Sequence, residues 1–165
     1  MARYKTREGM PIITPLALVD GAEGVLFARI DGEMRSIAQC RNLDAIVEKI
    51  KEEYARLGTP ARMNKARGTR GTGTMELYYG GAIFQDLMEK YQHDSIDTYF
   101  EIIAKNDDPT TDIGHRTIQL YGVNLDSVSV FKNDIETGAM TENVPFTFEN
   151  FEYISQFDNE AESYS

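Results

Sequence analysis

The chain has 165 residues, enough for one domain with its own hydrophobic core. A single cysteine excludes an intramolecular disulfide, and no run of about 18 apolar residues predicts a transmembrane helix. The net charge of −10 is unevenly divided: residues 1–71 carry 13 basic and 9 acidic side chains, whereas residues 72–165 carry 4 and 18. The acidic surplus argues against nucleic acid as a tightly bound ligand, because phosphate neutralisation needs an excess of cations.

The chain begins with a predicted arm and a predicted hairpin. Residues 1–20 are expected to be an N-terminal arm, because Pro11 and Pro15 interrupt their apolar run. Residues 25–30 then have the composition of a strand, and Asp31-Gly32 is a strong hairpin signal. Residues 34–39 are therefore predicted to form the return strand.

Residues 42–57 have an apolar pattern with helical spacing. Apolar side chains recur at intervals of three and four with charged residues between them, namely Leu43, Ile46, Val47, Ile50, Tyr54 and Leu57. Local sequence therefore predicts an amphipathic helix, although tertiary context can override such a pattern.

The next segment is basic and rich in glycine. Residues 56–70 contain no acidic residue and five basic ones: Arg56, Arg62, Lys65, Arg67 and Arg70. Such a segment can bind nucleic acid, bind the acidic face of a neighbouring copy, or form a solvated loop. Residues 56–70 contain no aromatic side chain, which counts against binding of single-stranded nucleic acid. The glycines of residues 68–74 predict flexibility.

The second half of the chain is predicted to be mostly strands around one helix. An apolar stripe at helical spacing places the helix at about residues 81–92. Strand-like segments occupy residues 75–79, 98–105 and 115–123. With the hairpin and the C-terminal segment these make about seven short strands. The predicted fold is therefore mainly β, a β-sandwich or barrel with one flanking helix.

The C-terminal strand changes its apolar face. Phe146 and Phe148 alternate with polar neighbours, but Phe151 and Tyr153 fall on the opposite face of a regular strand. Either a bulge lies near residues 149–150, or the strand is apolar on both faces. A strand that packs between its own core and a second surface has reason to be apolar on both faces, and the simplest second surface is another copy. Residues 158–165 are polar and acidic and are predicted to be a disordered tail.

No catalytic, metal or cofactor site is predicted. Cys40 could pair with a distant histidine as a nucleophile, but nothing in its sequence surroundings marks an activated thiolate. Three aspartates lack the spacing of an EF-hand, namely Asp107, Asp108 and Asp112. Residues 68–74 lack the lysine of a phosphate-binding loop. The sequence therefore predicts a protein that is not an enzyme.

Several segments are distinctive in combination. They are Gly71-Thr72-Gly73-Thr74 leading into a strand and the single helix, residues 120–127 (LYGVNLDS), and, most specifically, residues 143–152 (NVPFTFENFE). Together they resemble the tail tube proteins of contractile-tailed phages and of PBSX-like phage-derived particles. The resemblance covers roughly residues 21–157, which would be the tail-tube domain.

The resemblance implies a non-enzymatic building block. Six copies would join into a ring, and stacked rings would form the hollow inner tube of a contractile phage tail or tail-like bacteriocin. That tube serves as a conduit for DNA or as a membrane-piercing needle. The implied partners are further copies, the tail sheath protein, and the baseplate and tape-measure proteins. DNA would pass through the lumen without specific binding, and no membrane anchoring is implied. The expected location is the virion or tail-like particle, after assembly in the bacterial cytoplasm.

The resemblance also bears on two sets of residues. It implies a long strand in place of the local helix, followed by an extended loop at about residues 53–72 that bridges to the next ring. The candidates for contacts between rings are then Arg62, Lys65, Arg67 and Arg70. The candidates for a strand between subunits are Phe146, Phe148, Phe151 and Tyr153.

A second hypothesis, from another class of protein, is a monomeric β-barrel that binds a small ligand in its interior. It predicts a stable monomer with a cavity and no concentration-dependent assembly. The two hypotheses therefore differ in a property that is simple to measure.

Overall fold

The computed structural model of the protein describes residues 24–37, 40–106, 116–133, 135 and 138–155. The predicted arm of residues 1–20 and the predicted tail of residues 158–165 lie outside them. The described residues form eight strands and one helix: β1 (Gly24–Ile30), β2 (Glu33–Ser36), β3 (Cys40–Tyr54), β4 (Met63–Tyr78), α1 (Ile83–Asp94), β5 (Phe100–Asn106), β6 (Arg116–Leu125), β7 (Thr141–Phe148) and β8 (Asn150–Ser155). The mainly β class is confirmed, with eight strands where about seven were predicted.

The strands are hydrogen-bonded in the order β2-β1-β5-β6-β7-β4-β3, and β8 pairs with β6. The chain divides into two compact units. The first unit contains β1, β2, most of β5 and β8, and the first half of β6. The second contains β3, β4, α1, β7 and the second half of β6.

The first unit is built around β1, which is antiparallel to both β2 and β5. The turn between β1 and β2 consists of Asp31 and Gly32, whose φ angles are 51° and 81°. Positive φ at both positions is what a tight two-residue hairpin requires, so the hairpin predicted from this dipeptide is confirmed. Ala28 and its registered partner Ile102 are completely buried and lie in the core of this unit.

The core of the second unit lies along β7 and α1. Val144 and Phe146 of β7 are completely buried, and β7 pairs with β4 along its whole length. The predicted helix is confirmed, and it buries Phe84 and Leu87 on one face. The ring of Phe84 packs 6.0 Å from that of Phe100, which ties the helix to the start of β5.

The amphipathic helix predicted locally for residues 42–57 is wrong, and the long strand implied by the resemblance is present. β3 runs for 15 residues and pairs with β4 from Cys40↔Leu77 to Tyr54↔Met63. β4 offers hydrogen-bonding partners along the whole of β3, and this pairing determines the extended backbone. The local sequence pattern does not reveal such a partner. The glycine-rich residues 68–74 also lie in β4, so their predicted flexibility is wrong, and only residues 55–62 separate the two strands.

Two glycines of β4 leave room for phenylalanine rings of β7. A Cβ on Gly71 would lie 2.6 Å from the backbone oxygen of Phe148 and 2.7 Å from its ring. A Cβ on Gly73 would overlap the ring of Phe146 and lie 2.7 Å from the backbone oxygen of Asp44. Close approach of a buried ring to the backbone therefore requires glycine at both positions.

We expect Gly73→Ala to destabilise the protein by about 1–3 kcal/mol, the usual cost of overpacking a core. The reason is that the added methyl group meets both a ring and a fixed backbone oxygen. Chemical unfolding of the purified variants measures the effect. Gly68→Ala is the matched control in the same strand, because nothing lies within 4 Å of its Cβ position. Equal unfolding free energies for the two variants would contradict the explanation.

Candidate assembly surfaces

A two-stranded ribbon projects from the second unit. β7 pairs with β4 only between Gly71 and Tyr78, so within the described residues the earlier part of β4 pairs with β3 alone. Residues 48–70 are termed the ribbon. The eight residues from Met63 to Arg70 span about 26 Å at about 3.3 Å per residue. Apart from the half-buried Tyr54, every side chain of the ribbon is exposed.

The register of the ribbon places two of the four predicted cations, Lys65 and Arg70, on one face. In the strand register Arg70 lies opposite Glu48 and Lys65 lies opposite Glu52, so these residues share one face. A register shift between Ile50 and Lys51 keeps both cations on that face although their spacing in β4 is odd. Arg62 forms an ion pair with Glu53, which lies on the other face.

The four cations also differ in their availability. Arg67 donates to Glu52 at 2.6 Å and to the hydroxyl of Tyr54, and its guanidinium lies 5.6 Å from the centre of the Tyr54 ring. Arg62 lies 3.6 Å from Glu53. Lys65 and Arg70 make no hydrogen bond or ion pair with the side chains that the structure describes. Of the predicted set, these two are therefore the cations most able to bind another molecule.

Apolar residues accompany the cations on the same face. Ile50 follows Glu48 by two residues, and Met63 pairs with Tyr54, so both belong to this face, and both are about half exposed. Leu57, at the end of the ribbon, is fully exposed. A cluster of exposed apolar side chains is a candidate protein–protein contact, and unpaired cations beside it favour an acidic partner.

The C-terminal aromatic residues fall into two separate environments. β7 ends at Phe148, β8 begins at Asn150, and the intervening Glu149 donates its N–H to Tyr121 O at 3.0 Å. This interruption explains why the apolar parity changes, as the first of the two sequence interpretations proposed. Phe146 and Phe148 lie in the core of the second unit.

Phe151 and Tyr153 are partly exposed on the first unit and form an edge-to-face pair 5.7 Å apart. The guanidinium of Arg116 lies 5.4 Å from the centre of the Tyr153 ring. Of the four residues predicted for a strand between subunits, these two therefore present side-chain surface. Their contact with another copy stays a prediction.

Comparison with known proteins identifies the family of this chain. Residues 15–155 match the protein family described as phage tail tube protein. The chain belongs to this family. It is also 37% identical over 134 residues to the phage-like element PBSX protein XkdM of Bacillus subtilis, which covers 81% of this chain and 88% of that protein.

Solved structures of other members of this architecture share the fold. A chain in the cryo-EM structure of an extracellular contractile injection system, the PVC sheath–tube complex in its extended state, superimposes with a TM-score of 0.64 at 9% identity. The match covers 84% of this chain and 93% of that chain. A chain of the 6-fold symmetrised anti-feeding prophage baseplate gives a TM-score of 0.63 at 8% identity, covering 87% and 97%.

The described part of this tail tube protein contains few groups that could act in catalysis or bind a metal. Cys40 is half-buried at the start of β3, where its thiol donates to Asn42 O at 3.2 Å. Burial, helped by the nearby charge of Glu76, raises the pKa of this thiol, the opposite of what an activated nucleophile needs. Within the described ranges, no three His, Cys, Asp or Glu side chains come together as a metal site. The aspartates at 107, 108 and 112 lie outside these ranges.

Among the described residues, no helix has the length and hydropathy that a membrane span requires.

We expect the Cys40 thiol to react several-fold more slowly with a disulfide reagent at pH 8 than the same thiol in the unfolded chain. Its raised pKa leaves less thiolate at that pH, and burial limits access. Labelling rates measured from pH 7 to 10, with and without denaturant, test this. A folded-state rate that equals the denatured rate at pH 8 would contradict it.

Proposed function

We propose that this protein is the subunit of the hollow inner tube of a contractile tail or tail-like particle, in which six copies form each ring and rings stack. Membership of the tail tube family supports the tube subunit. The likeness to chains from a sheath–tube complex and from a 6-fold symmetrised baseplate supports the ring and its surrounding sheath. The exposed ribbon is the feature that supports the stacking of rings.

The ribbon is poorly supported within its own chain. A two-stranded hairpin without a packed face is only marginally stable in water. Contact with an adjacent ring would bury Ile50, Met63 and Leu57 and would give Lys65 and Arg70 acidic partners. Unlike surfaces that meet head to tail make a heterologous contact, and such contacts generate stacks and filaments.

The charge of the chain fits both stacking and transport. Residues 72–165 carry 18 acidic against 4 basic side chains, so they can supply partners for the basic ribbon of a neighbour. A net charge of −10 also suits a lumen through which DNA slides, because like charge prevents adhesion. The protein would act without catalysis, assemble in the bacterial cytoplasm, and meet the sheath, baseplate and tape-measure proteins in the finished particle.

We expect the purified chain to form rings or hollow tubes as its concentration rises. Negative-stain electron microscopy at increasing concentration, paired with light scattering, tests this. Six-fold rings or stacked rings are the expected particles. Monomers at every concentration, including in the presence of preformed tail baseplates that would nucleate assembly, would overturn the proposal and favour the ligand-binding barrel.

The contribution of the ribbon is tested by Lys65→Gln with Arg70→Gln. Neither side chain makes an ion pair within the described chain, so the unfolding free energy should change by less than about 0.5 kcal/mol. The concentration needed for stacking should rise about tenfold or more, which corresponds to about 1.4 kcal/mol per contact.

Lys49→Gln with Lys51→Gln is the matched control, because it removes the same charge from the opposite face of the same ribbon. If both double variants raise the stacking concentration equally, or if neither does, the assignment of the contact to the Lys65 and Arg70 face is wrong.

A further inference from the structure

The loop after β6 exposes two apolar side chains at its tip. Val130 and Phe131 are 83% and 79% exposed, although they are adjacent and large. They are followed by Lys132. Adjacent exposed apolar residues of this size mark a contact site when the backbone beneath them is held in place. We term residues 130–132 the tip.

Hydrogen bonds to the body of the second unit hold this loop in place. Gln85 of α1 donates to Ser129 O at 3.2 Å and to the buried carboxylate of Glu142 at 3.0 Å. The backbone N–H of Lys132 donates to the hydroxyl of Tyr79 at 3.0 Å. The Lys132 ammonium donates to Thr141 O at 2.6 Å. The loop is therefore fixed on both sides of Phe131, and the two apolar side chains are presented rather than folded inward.

A groove of complementary character lies beside the C-terminal half of α1. It has a volume of about 330 Å³, and its lining includes Leu87, Met88, Tyr91, Leu125, Asp97 and Asp126. Asp97 accepts from Asn124 at 2.6 Å, whereas the exposed Asp126 carboxylate has no hydrogen-bond or ion-pair partner among the described residues. The groove thus combines apolar side chains with polar ones, which include Thr98 and Asn124, and with the free negative charge of Asp126.

We propose that the tip of one copy inserts into this groove of a second copy, with Val130 and Phe131 against its apolar side chains and Lys132 facing Asp126. The ammonium of Lys132 has two further N–H donors beyond the one bound to Thr141, so it can reach a carboxylate without giving up its anchor. Charge and polarity therefore match between the two surfaces.

A second copy is the occupant that the chain itself points to. The tip begins four residues after Asp126, yet its side chains stay in solvent and leave the groove of their own chain unfilled. A molecule that carries both a protruding surface and an unfilled matching recess makes a heterologous contact, which propagates from copy to copy. This contact rests on the proposed assembly, but it is distinct from the ribbon and can be tested separately.

Single-cysteine cross-linking tests the contact. In a Cys40→Ser background, one chain carries Phe131→Cys and a second, longer by an affinity tag, carries Met88→Cys. Each chain has one thiol, so every disulfide joins two copies. Mixing at assembly concentration followed by copper phenanthroline oxidation should give the mixed dimer on a non-reducing gel. Glu89→Cys, an exposed neighbour that does not line the groove, should give at least tenfold less.

A second variant tests the consequence for assembly. Phe131→Asp should raise the assembly concentration at least tenfold, because it places a carboxylate near Asp126 and against the apolar side chains of the groove. Its side chain is exposed, so unfolding free energy should be unchanged. Tubes that form without the mixed dimer, or an unchanged assembly of Phe131→Asp, would overturn this contact and leave the tube function standing. A mixed dimer without rings or tubes would support this contact and count against the tube.

Discussion

The packing of two β7 phenylalanines on the bare backbone of β4 is the constraint on which the rest of the second unit depends. Phe146 and Phe148 can reach the strand only where it has no side chain, at Gly73 and Gly71. The same strand continues past Gly71 into the ribbon, so these contacts also fix the base from which the ribbon leaves the core. A strand with a Cβ at either position would have to move away from β7, and the ribbon would be redirected with it. Core packing and the candidate assembly surface are therefore coupled through one strand.

The elements that could be predicted from sequence are those in which local and tertiary preferences agree. Asp31-Gly32 needs only two residues to close its hairpin, and α1 has an apolar face that the core of its own unit buries. The change of apolar face after Phe148 is also a local signal, because side-chain direction alternates strictly along a strand. In each case the residues that form the element also contain the signal that predicts it.

The wrong predictions concern residues whose conformation is determined by contacts elsewhere in the chain or outside it. Ile46, Val47 and Ile50 mimic a helical stripe, but in β3 they fall on both faces and are about half exposed. No core among the described residues accounts for their spacing, so the helical period in the sequence does not correspond to a buried face. Gly71 and Gly73 suggested flexibility because the phenylalanines that require them are far along the chain. In both cases tertiary pairing supplied what local propensity lacked.

The candidate surfaces were predictable in composition but not in detail. The sequence shows a cluster of cations without acidic residues at 56–70. The contacts that distinguish these cations depend on the strand register. The shift after Ile50 lies at Arg67, which binds Glu52, and no sequence signal marks that shift. Arg70 lies before the shift, opposite Glu48, and forms no ion pair with the described side chains. The exposed tip at Val130 and Phe131 carried no motif at all. Its character follows only from hydrogen bonds made by Gln85 and Tyr79, which hold the loop base.

The ribbon and the tip differ in the physical origin of any contact they make. Lys65 and Arg70 would act largely through charge, which salt screens over about 8 Å at physiological ionic strength. Val130 and Phe131 would act by burial of apolar area, which salt does not screen. Under the proposed assembly, each contact is modest for one pair of subunits, but a closed ring and a stack repeat it many times, so the assembled state gains from effective concentration. A free subunit can then remain soluble through its net charge of −10 while the assembled tube is stable.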